Sequence, residues 1–321
     1  MSQEQDPATT ILHVPVLLNE SIHALNIIRD GLYVDATYGR GGHASTILDN
    51  LGSGGCLVVM DRDEQAIEHA NSTLGNDPRC RILHSSMQNL DAALASLVLD
   101  RKANGILADL GVSSPQLNDP ERGFSFMADG PLDMRMDTSS GVDAASWLNQ
   151  VEESELTRVL REYGEERYAR RIARAIVEYR QCHLFARTKQ LVDVVCGTVP
   201  TREKNKHPAT RTFQAVRMRV NAELDQLSAF LPKAVRALTE GGRLVVVSFH
   251  SLEDRLVKRF MRGHARGDEY PPDIPVTFKH LKPLLRLVAK PCRPSPQEVE
   301  VNPRARSAVM RVAERTEHCY A

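Results

Sequence analysis

The chain has 321 residues, 42% of them hydrophobic, which suits one large domain or two ordinary ones with a sizeable core. Its 41 basic and 41 acidic residues cancel, so any contact with nucleic acid must come from local patches rather than from a net positive charge. The six cysteines contain no Cys-x-x-Cys pair, and Cys56 opens an apolar run. These features predict reduced thiols and no structural zinc site.

The chain contains no apolar run that approaches the ~18 residues of a membrane span. Its first ten residues are polar and lack the apolar core of a signal peptide. We therefore expect a cytoplasmic protein that makes no membrane contact. The sequence does not indicate an oligomeric state.

The first 112 residues alternate strand-like and helix-like stretches. Apolar runs predict strands at residues 32–35, 56–60, 81–84 and 105–109, and the segments at 43–51, 64–74 and 90–99 predict helices. Alternation of this kind predicts a parallel sheet with helices on both faces.

Residues 146–198 show helical spacing of apolar side chains and no strand pattern. The dense mixture of Glu and Arg here is typical of a solvated helix face with i,i+4 ion pairs. Near Val220 the α/β pattern resumes, with a helix over 224–238 ended by Gly241 and Gly242, a strand over 243–249, a helix over 252–262 and a last strand over 309–312. We predict one α/β domain built from residues 1–120 and 215–321, interrupted by an all-helical insertion at 121–214.

A glycine-rich turn, Gly39-Arg40-Gly41-Gly42-His43, follows the first strand and begins a helix. Glycine is needed where the backbone turns sharply and lets a ligand approach closely, although a tight turn without a ligand would also need it. Asp61 ends the second strand, 20 residues after Gly41, where an acid can accept hydrogen bonds from the hydroxyls of an adenosine ribose. The alternative role for Asp61 is a helix N-cap, but Asp63 is better placed for it. NAD and S-adenosylmethionine both fit this pattern.

Asp109 ends the fourth strand and is followed by small residues and a proline. Ligands of doubly wound sheets lie at these strand ends, which places Asp109 beside the reactive end of the cofactor. A dehydrogenase needs a His, Tyr or Lys proton donor there, and this segment offers no clear candidate. Methyl transfer to an exocyclic amine needs only in-line placement and an acceptor for the N–H bonds. The pattern therefore favours S-adenosylmethionine over NAD.

Six stretches together resemble the bacterial small-subunit ribosomal RNA cytosine-N4 methyltransferase family, of the MraW type, over residues 13–315. They are Gly39-Arg40-Gly41-Gly42-His43, Asp109-Leu110-Gly111-Val112-Ser113-Ser114-Pro115-Gln116-Leu117, Glu121-Arg122-Gly123-Phe124-Ser125-Phe126 with Gly130-Pro131-Leu132-Asp133-Met134-Arg135-Met136, His207-Pro208-Ala209-Thr210-Arg211-Thr212-Phe213-Gln214-Ala215, Ser248-Phe249-His250-Ser251-Leu252-Glu253-Asp254-Arg255, and Asn302-Pro303-Arg304-Ala305-Arg306-Ser307.

The resemblance implies a Rossmann-like class I methyltransferase fold with a mostly parallel, doubly wound sheet and an inserted helical domain. The implied reaction is methylation of the exocyclic N4 of cytidine 1402 in 16S ribosomal RNA, in the small ribosomal subunit. The implied contacts to S-adenosylmethionine are Gly41, Gly42, His43, Asp61, Asp109 and Gln116. Met87 stands where the family often has an aromatic residue beside the adenine, and can serve as a soft apolar wall.

The substrate side is predicted from two segments. Lys204, Lys206, Arg211, Arg217 and Arg219, with His207 among them and no acid between 204 and 219, are candidates for phosphate contacts, the alternative being a surface loop and an ordinary helix. Phe213 is either a base-stacking or a core residue. His250, Ser251 and Glu253 follow a strong strand and should face the same crevice, and the missing Gly-x-Ser-x-Gly elbow disfavours a hydrolase. The 123–136 loop either covers the target base or is purely structural.

Asp109 is the candidate catalytic residue, as the acceptor for the reacting amine, but holding the methionine part of the cofactor is an equally compatible role. Two rival functions are an NAD-dependent dehydrogenase and a non-catalytic RNA-binding factor. The first leaves the helical insertion and the Asp109 segment unexplained. A non-catalytic RNA-binding factor would not account for the glycine-rich turn or for the two acids, Asp61 and Asp109.

Overall fold

The computed structural model describes residues 15–99, 101–200, 207–267 and 282–318 of the chain, so Lys204, Lys206 and Cys319 lie outside the described residues. Its strands are β1 (Leu32–Asp35), β2 (Cys56–Asp61), β3 (Cys80–His84), β4 (Ala103–Asp109), β5 (Leu238–Ser248), β6 (Leu285–Leu287) and β7 (Val309–Arg315). Its helices are α1 (Leu18–Leu25), α2 (Gly42–Asn50), α3 (Glu64–Leu74), α4 (Leu90–Ser96), α5 (Ser114–Asn118), α6 (Ala144–Gln150), α7 (Glu153–Glu162), α8 (Ala169–Arg180), α9 (Thr188–Thr198), α10 (Thr210–Val220), α11 (Glu223–Ala237), α12 (Ser251–Arg266) and α13 (Pro296–Val301).

The seven strands form one sheet in the order β3-β2-β1-β4-β5-β7-β6. The first five strands of this order, from β3 at the edge to β5, pair in parallel with their neighbours. Strand β7 pairs antiparallel with both β5 and β6. Separate apolar clusters cover the two faces, as a doubly wound sheet requires. The predicted α/β Rossmann-like fold is confirmed, and with it the buried thiol of Cys56.

One sequence-based boundary is wrong. Gly241 and Gly242 do not end a helix, because α11 stops at Ala237 and the glycines lie inside β5. Gly241 has φ +73°, and the pairing of β5 with β4 shifts register between Ala103 and Gly105. The glycines thus accommodate an irregularity in the strand, where a left-handed residue fits best without a Cβ.

The helical segment between β4 and β5 builds an apolar cluster of its own, from Phe124 to Val216. Its solvent face carries the expected i,i+4 ion pairs, such as Arg158 with Glu162 and Arg174 with Glu178. Helix α10 runs continuously across the predicted boundary at 214/215, and Phe213 is a core residue of the cluster, 3% exposed. Among the described residues, none of the helices is both long and apolar enough to span a bilayer.

Candidate active site

A cavity of about 390 Å³ opens at the carboxyl ends of β1, β2, β4 and β5. Its lining includes Gly39, Gly42, His43, Asp61, Met87, Asp109, Gln116, Arg217, Glu223, Phe249 and Glu253. Every residue predicted to hold the cofactor except Gly41 therefore lines one cavity, together with two of those predicted to contact substrate.

The glycine-rich turn leads from β1 into α2. Gly41 is the N-cap of α2 and has φ +75°, a conformation that side chains with a Cβ rarely adopt. At Gly42 the limit is space, because a Cβ there would lie 2.1 Å from Cγ of Pro15. The turn therefore holds the backbone N–H groups at the start of α2 close to the cavity, where they can bind an anionic group.

Asp61 and Asp63 have different roles in the structure, one at the cavity and the other at the N-cap of α3. Asp63 caps α3 by accepting the N–H of Gln65 at 3.1 Å, as predicted. Asp61 lines the cavity and accepts the N–H groups of Gly39 at 2.8 Å and Asp63 at 2.9 Å. These two bonds fix the carboxylate at the end of β2, where its remaining lone pairs could accept ribose hydroxyls.

We predict that Asp61→Ala weakens binding of S-adenosylmethionine by about 1.5–3 kcal/mol, roughly 10- to 150-fold, because hydrogen bonds to a charged acceptor are lost. Titration calorimetry measures the dissociation constant. Asp61→Asn, which keeps one acceptor oxygen, is the matched control and should lose less. An unchanged dissociation constant in a folded Asp61→Ala protein removes Asp61 from the cofactor site.

His43 and Asp109 face each other at the end of β4. Burial lowers the pKa of His43 to about 4, so its ring is neutral at pH 7. Burial, with the charges of Asp35 and Glu253, raises the pKa of Asp109 well above its usual range. Nδ1 of His43 lies 3.8 Å from Oδ2 of Asp109, beyond hydrogen-bond range. Nε2 of His43 and Oδ1 of Asp109 are buried and make no hydrogen bond within the described part of the chain.

These two unsatisfied atoms, Nε2 of His43 and Oδ1 of Asp109, indicate that the cavity binds a ligand. Buried polar groups are normally hydrogen-bonded, so an acceptor and an imidazole nitrogen without partners indicate that a ligand supplies them. A cationic ligand would also offset the cost of ionising Asp109. The sulfonium of S-adenosylmethionine carries that charge, and the residues present fit it.

Asp35 is a buried acid next to the cavity lining, and its charge acts on Asp109. It ends β1, is 1% exposed, and accepts the N–H of Thr37 at 3.1 Å. Burial raises its pKa to about 7. The only signal for it in the sequence is its position at a strand end, which it shares with Asp61 and Asp109.

We predict that Asp35→Asn stabilises the ligand-free protein, and more so at higher pH. The folded-state pKa of Asp35 is about 7 and its ordinary value is 3.8, so its stabilising protonation is lost as pH rises between these values. The difference in unfolding free energy between variant and wild type should grow from pH 5 to 7, then level off, with a span on the order of a few kcal/mol. Urea unfolding of both proteins measures it, and a pH-independent difference contradicts the prediction.

Gln116 and Met87 both line the cavity, Gln116 with an amide that is hydrogen-bonded to the protein and Met87 with an apolar side chain. Oε1 of Gln116 accepts the N–H of Ser113 at 2.9 Å, and its Nε2 donates to Oδ2 of Asp63 at 2.7 Å. Gln116 therefore braces Asp63, whatever further contact it makes with a ligand. Met87 lies in a single 3₁₀ turn after β3 and packs against the core, as an apolar wall would.

Arg122, which sequence reasoning placed only within a motif, ties the helical segment to this site. Its Nη1 donates to Oδ2 of Asp63 at 2.9 Å, and its Nη2 donates to the carbonyls of Arg135 and Met136. It is 6% exposed. Arg122 thus links the 123–136 loop to the carboxylate that caps α3, and the loop has a structural role. Met136 of the loop also lines the cavity.

The predicted substrate residues separate into two groups. Arg217 and Glu253 line the cavity, whereas His207, Arg211, His250 and Ser251 are not part of its lining. His207 is exposed and stacks on Phe126 at 4.8 Å between ring centroids, and Arg211 donates to the carbonyl of Glu165. Ser251 is exposed and donates to Glu165, and His250 is the N-cap of α12.

Arg217 lies in a different setting from the one the sequence suggested. The sequence makes it a candidate for a phosphate contact, but its side chain is 16% exposed and forms two 2.8 Å hydrogen bonds with Glu223. Glu223, His250 and Glu253 offer three ligand atoms within 4.8 Å of one another. The guanidinium of Arg217 already supplies positive charge at this acidic group.

Comparisons with known proteins identify the family of the chain. The model of the MraW methylase family matches residues 10–316. A ribosomal RNA small subunit methyltransferase H of Idiomarina loihiensis is 52% identical over 96% of this chain and 98% of its own length.

Two solved structures are more distant. An rRNA methylase from Streptococcus thermophilus aligns over 95% of this chain and 99% of its own, with 12% identity and a TM-score of 0.41. NSun6 from Pyrococcus horikoshii aligns over 94% and 53%, with 12% identity and a TM-score of 0.43. The family match and the 52% identical relative both extend over nearly the whole chain, and on that basis the chain belongs to the MraW methylase family.

Proposed function

We propose that this protein methylates the exocyclic N4 of a cytidine in 16S ribosomal RNA, cytidine 1402 in the conventional numbering. The observation that carries the proposal is the carboxyl of Asp109, which lines the cavity and whose buried Oδ1 has no hydrogen-bond partner among the described residues. It lies at the end of β4, beside the glycine turn, where an acceptor for an amine is needed. The family and the 52% identical relative support ribosomal RNA as the substrate.

S-adenosylmethionine is the cofactor, as predicted, because the family is one of methylases. When bound, it supplies an electrophilic methyl group on a sulfonium. The chain's own residues have the remaining tasks, which are to hold the cofactor through Asp61 and the turn at Gly41 and to present an acceptor to the amine. The N4 lone pair of cytosine is delocalised into the ring, so an acceptor on one N–H that favours pyramidal geometry lowers the barrier.

The helical segment at 121–214 is proposed to recognise the RNA, within the small ribosomal subunit and in the cytoplasm. Arg211 and His207 stay candidates for phosphate contacts, because both lie near the surface at the start of α10. A target base must leave any helical stack to enter the cavity, at a cost of roughly a few kcal/mol. Contacts between this segment and the flanking RNA would offset that cost.

Mass mapping of 16S ribosomal RNA from cells with and without this protein tests the proposal. We expect one cytidine to lose 14 Da in the cells that lack the protein, with the missing methyl assigned to N4 by fragmentation of the nucleoside. Cells that express Asp109→Asn are the matched control and should resemble the cells without the protein. Identical spectra in all three strains, or a methyl group on a carbon of the base, contradict the proposal.

A further inference from the structure

The guanidinium of Arg217 is only partly used by the protein. An arginine carries five N–H donors in a planar fork. Nε and Nη2 each donate one hydrogen to Glu223, at 2.8 Å. Both hydrogens on Nη1 and one on Nη2 are therefore not used by Glu223, and Arg217 lines the cavity. Glu223 fixes the plane of the fork, so the remaining donors point in a set direction.

The position of this fork places it near the predicted reaction centre. Arg217 and Glu253 both line the cavity, together with Asp109 and Phe249. Burial opposes ionisation of Glu253, but contact with His250 and the charge of Arg217 hold its pKa below the usual range. Glu253 in turn acts on Asp109. Arg217 and Asp109 thus lie in the lining of one cavity, and each is within electrostatic range of Glu253.

The carboxylate of Glu253 is held on both oxygens by neighbouring groups of the protein, through one hydrogen bond and one close contact. Oε2 accepts the N–H of Phe249 at 3.0 Å, and Oε1 lies 3.1 Å from Nε2 of His250. Oδ1 of Asp109, by contrast, has no hydrogen-bond partner within the described part of the chain. A ligand in this part of the cavity therefore meets one open carboxyl, on Asp109, and one open pair of donors, on Arg217.

The Watson–Crick edge of cytosine presents the complementary pattern. Its O2 and N3 are adjacent acceptors, and the N4 amine beside them is a donor. An arginine fork suits two adjacent acceptors, as it does O6 and N7 of guanine in DNA readout. We propose that Arg217 reads O2 and N3 of the target base while Asp109 accepts from its N4 amine, so that Arg217 is a specificity-determining residue. This inference rests on the proposed function.

The proposed arrangement would disfavour binding of uracil, before any chemical step. Uracil carries a hydrogen on N3 and a carbonyl at position 4, so its N–H would face the donors of Arg217 and its O4 would face a carboxyl. Leaving buried donors unpaired costs more than a lost contact. Orientation follows as well, because a base held at O2 and N3 has its amine directed to one side.

The test is a double-mutant cycle in which one change is in the RNA. Small subunits are reconstituted with 16S RNA, assembled by splinted ligation, that carries cytidine or 3-deazacytidine at the mapped target. The analogue keeps the amine and O2 but replaces the N3 acceptor by C–H. Single-turnover methyl transfer is measured with wild type and with Arg217→Met. Arg217→Met/Glu223→Met is included because the single variant leaves a buried carboxylate without a partner.

With wild type we expect the analogue to react about tenfold more slowly or worse, in the range of a lost base contact. With either Arg217 variant, the rate ratio of cytidine to its analogue should fall about tenfold below the wild-type ratio, because the residue that contacts N3 is gone. The cycle cancels the analogue's intrinsic change in amine reactivity. Arg219→Met, which removes an exposed arginine from the same helix, is the matched control and should keep the wild-type ratio.

Equal ratios for wild type and both Arg217 variants overturn the inference, since N3 is then not read by Arg217. Failure of wild type to methylate N4 of the cytidine target would instead overturn the proposed function. The two failures are distinguishable because the cytidine arm reports the function alone. Thermal unfolding of each variant shows that the compared proteins are folded.

Discussion

Asp109→Asn is expected to lower methyl transfer by about two orders of magnitude or more while RNA binding persists. The amide replaces one acceptor oxygen by an NH₂ donor, which would face the hydrogens of the reacting amine. Single-turnover assays at saturating cofactor isolate the chemical step from cofactor binding. Near-normal turnover under these conditions would limit Asp109 to holding the cofactor and would direct attention to Glu253 and His250.

The same substitution should raise the unfolding temperature of the ligand-free protein. The pKa of Asp109 is raised mainly by burial, so at neutral pH the wild type bears the cost of a desolvated acid. An amide has no charge to desolvate. Because the pKa of Asp109 is raised on folding, its ionisation destabilises the folded state as pH rises above the ordinary value, so the gain from Asp109→Asn grows with pH. An unfolding temperature below that of the wild type would contradict this prediction.

Arg122→Met is expected to destabilise the protein by about 3–5 kcal/mol, because it leaves the Asp63 carboxylate buried without its cation. Arg122 and Asp63 are 6% and 7% exposed at their side chains, with 2.9 Å between Nη1 and Oδ2. The carbonyls of Arg135 and Met136 lose their donor as well. Chemical denaturation measures the change.

Arg187→Met is the matched control. It removes an arginine from an ion pair of similar length, 2.7 Å to Asp129, but its side chain is 53% exposed. Exposed pairs contribute roughly 0–1 kcal/mol, so this variant should be nearly neutral. In the Arg122→Met background, Asp63→Asn should recover part of the loss, because the buried charge is then gone. Equal effects of Arg122→Met and Arg187→Met would contradict the structural role of Arg122.

The residues that the sequence located correctly are those whose role depends on near neighbours. Asp63 caps α3 through a residue two positions away, and Asp61 and Asp109 end strands that the apolar runs had already marked. Gly241 was misassigned because a glycine pair indicates a break in either a helix or a strand, and only the pairing of β5 with β4 decides which.

Arg217 shows why other site residues could not be predicted. Its partner Glu223 lies beyond Ala222, which has φ +47° and turns the chain between α10 and α11. A non-glycine residue rarely adopts this conformation, so no local preference announces the turn. The basic character of the segment suggested phosphate binding, and only the fold shows that this arginine faces inward to a carboxylate.

The interrupted sheet also constrains the order in which the molecule can fold. Strand β5 pairs with β4 across the whole helical segment, so Asp109 stands opposite Val247, and β7 must then enter between β5 and β6. Loop closure over such distances is slow compared with local helix formation. During synthesis, the first four strands and the helical segment can leave the ribosome long before β5 and β7 are available. The exposed edge of β4 during that interval is a point at which the nascent chain is open to mispairing or chaperone binding.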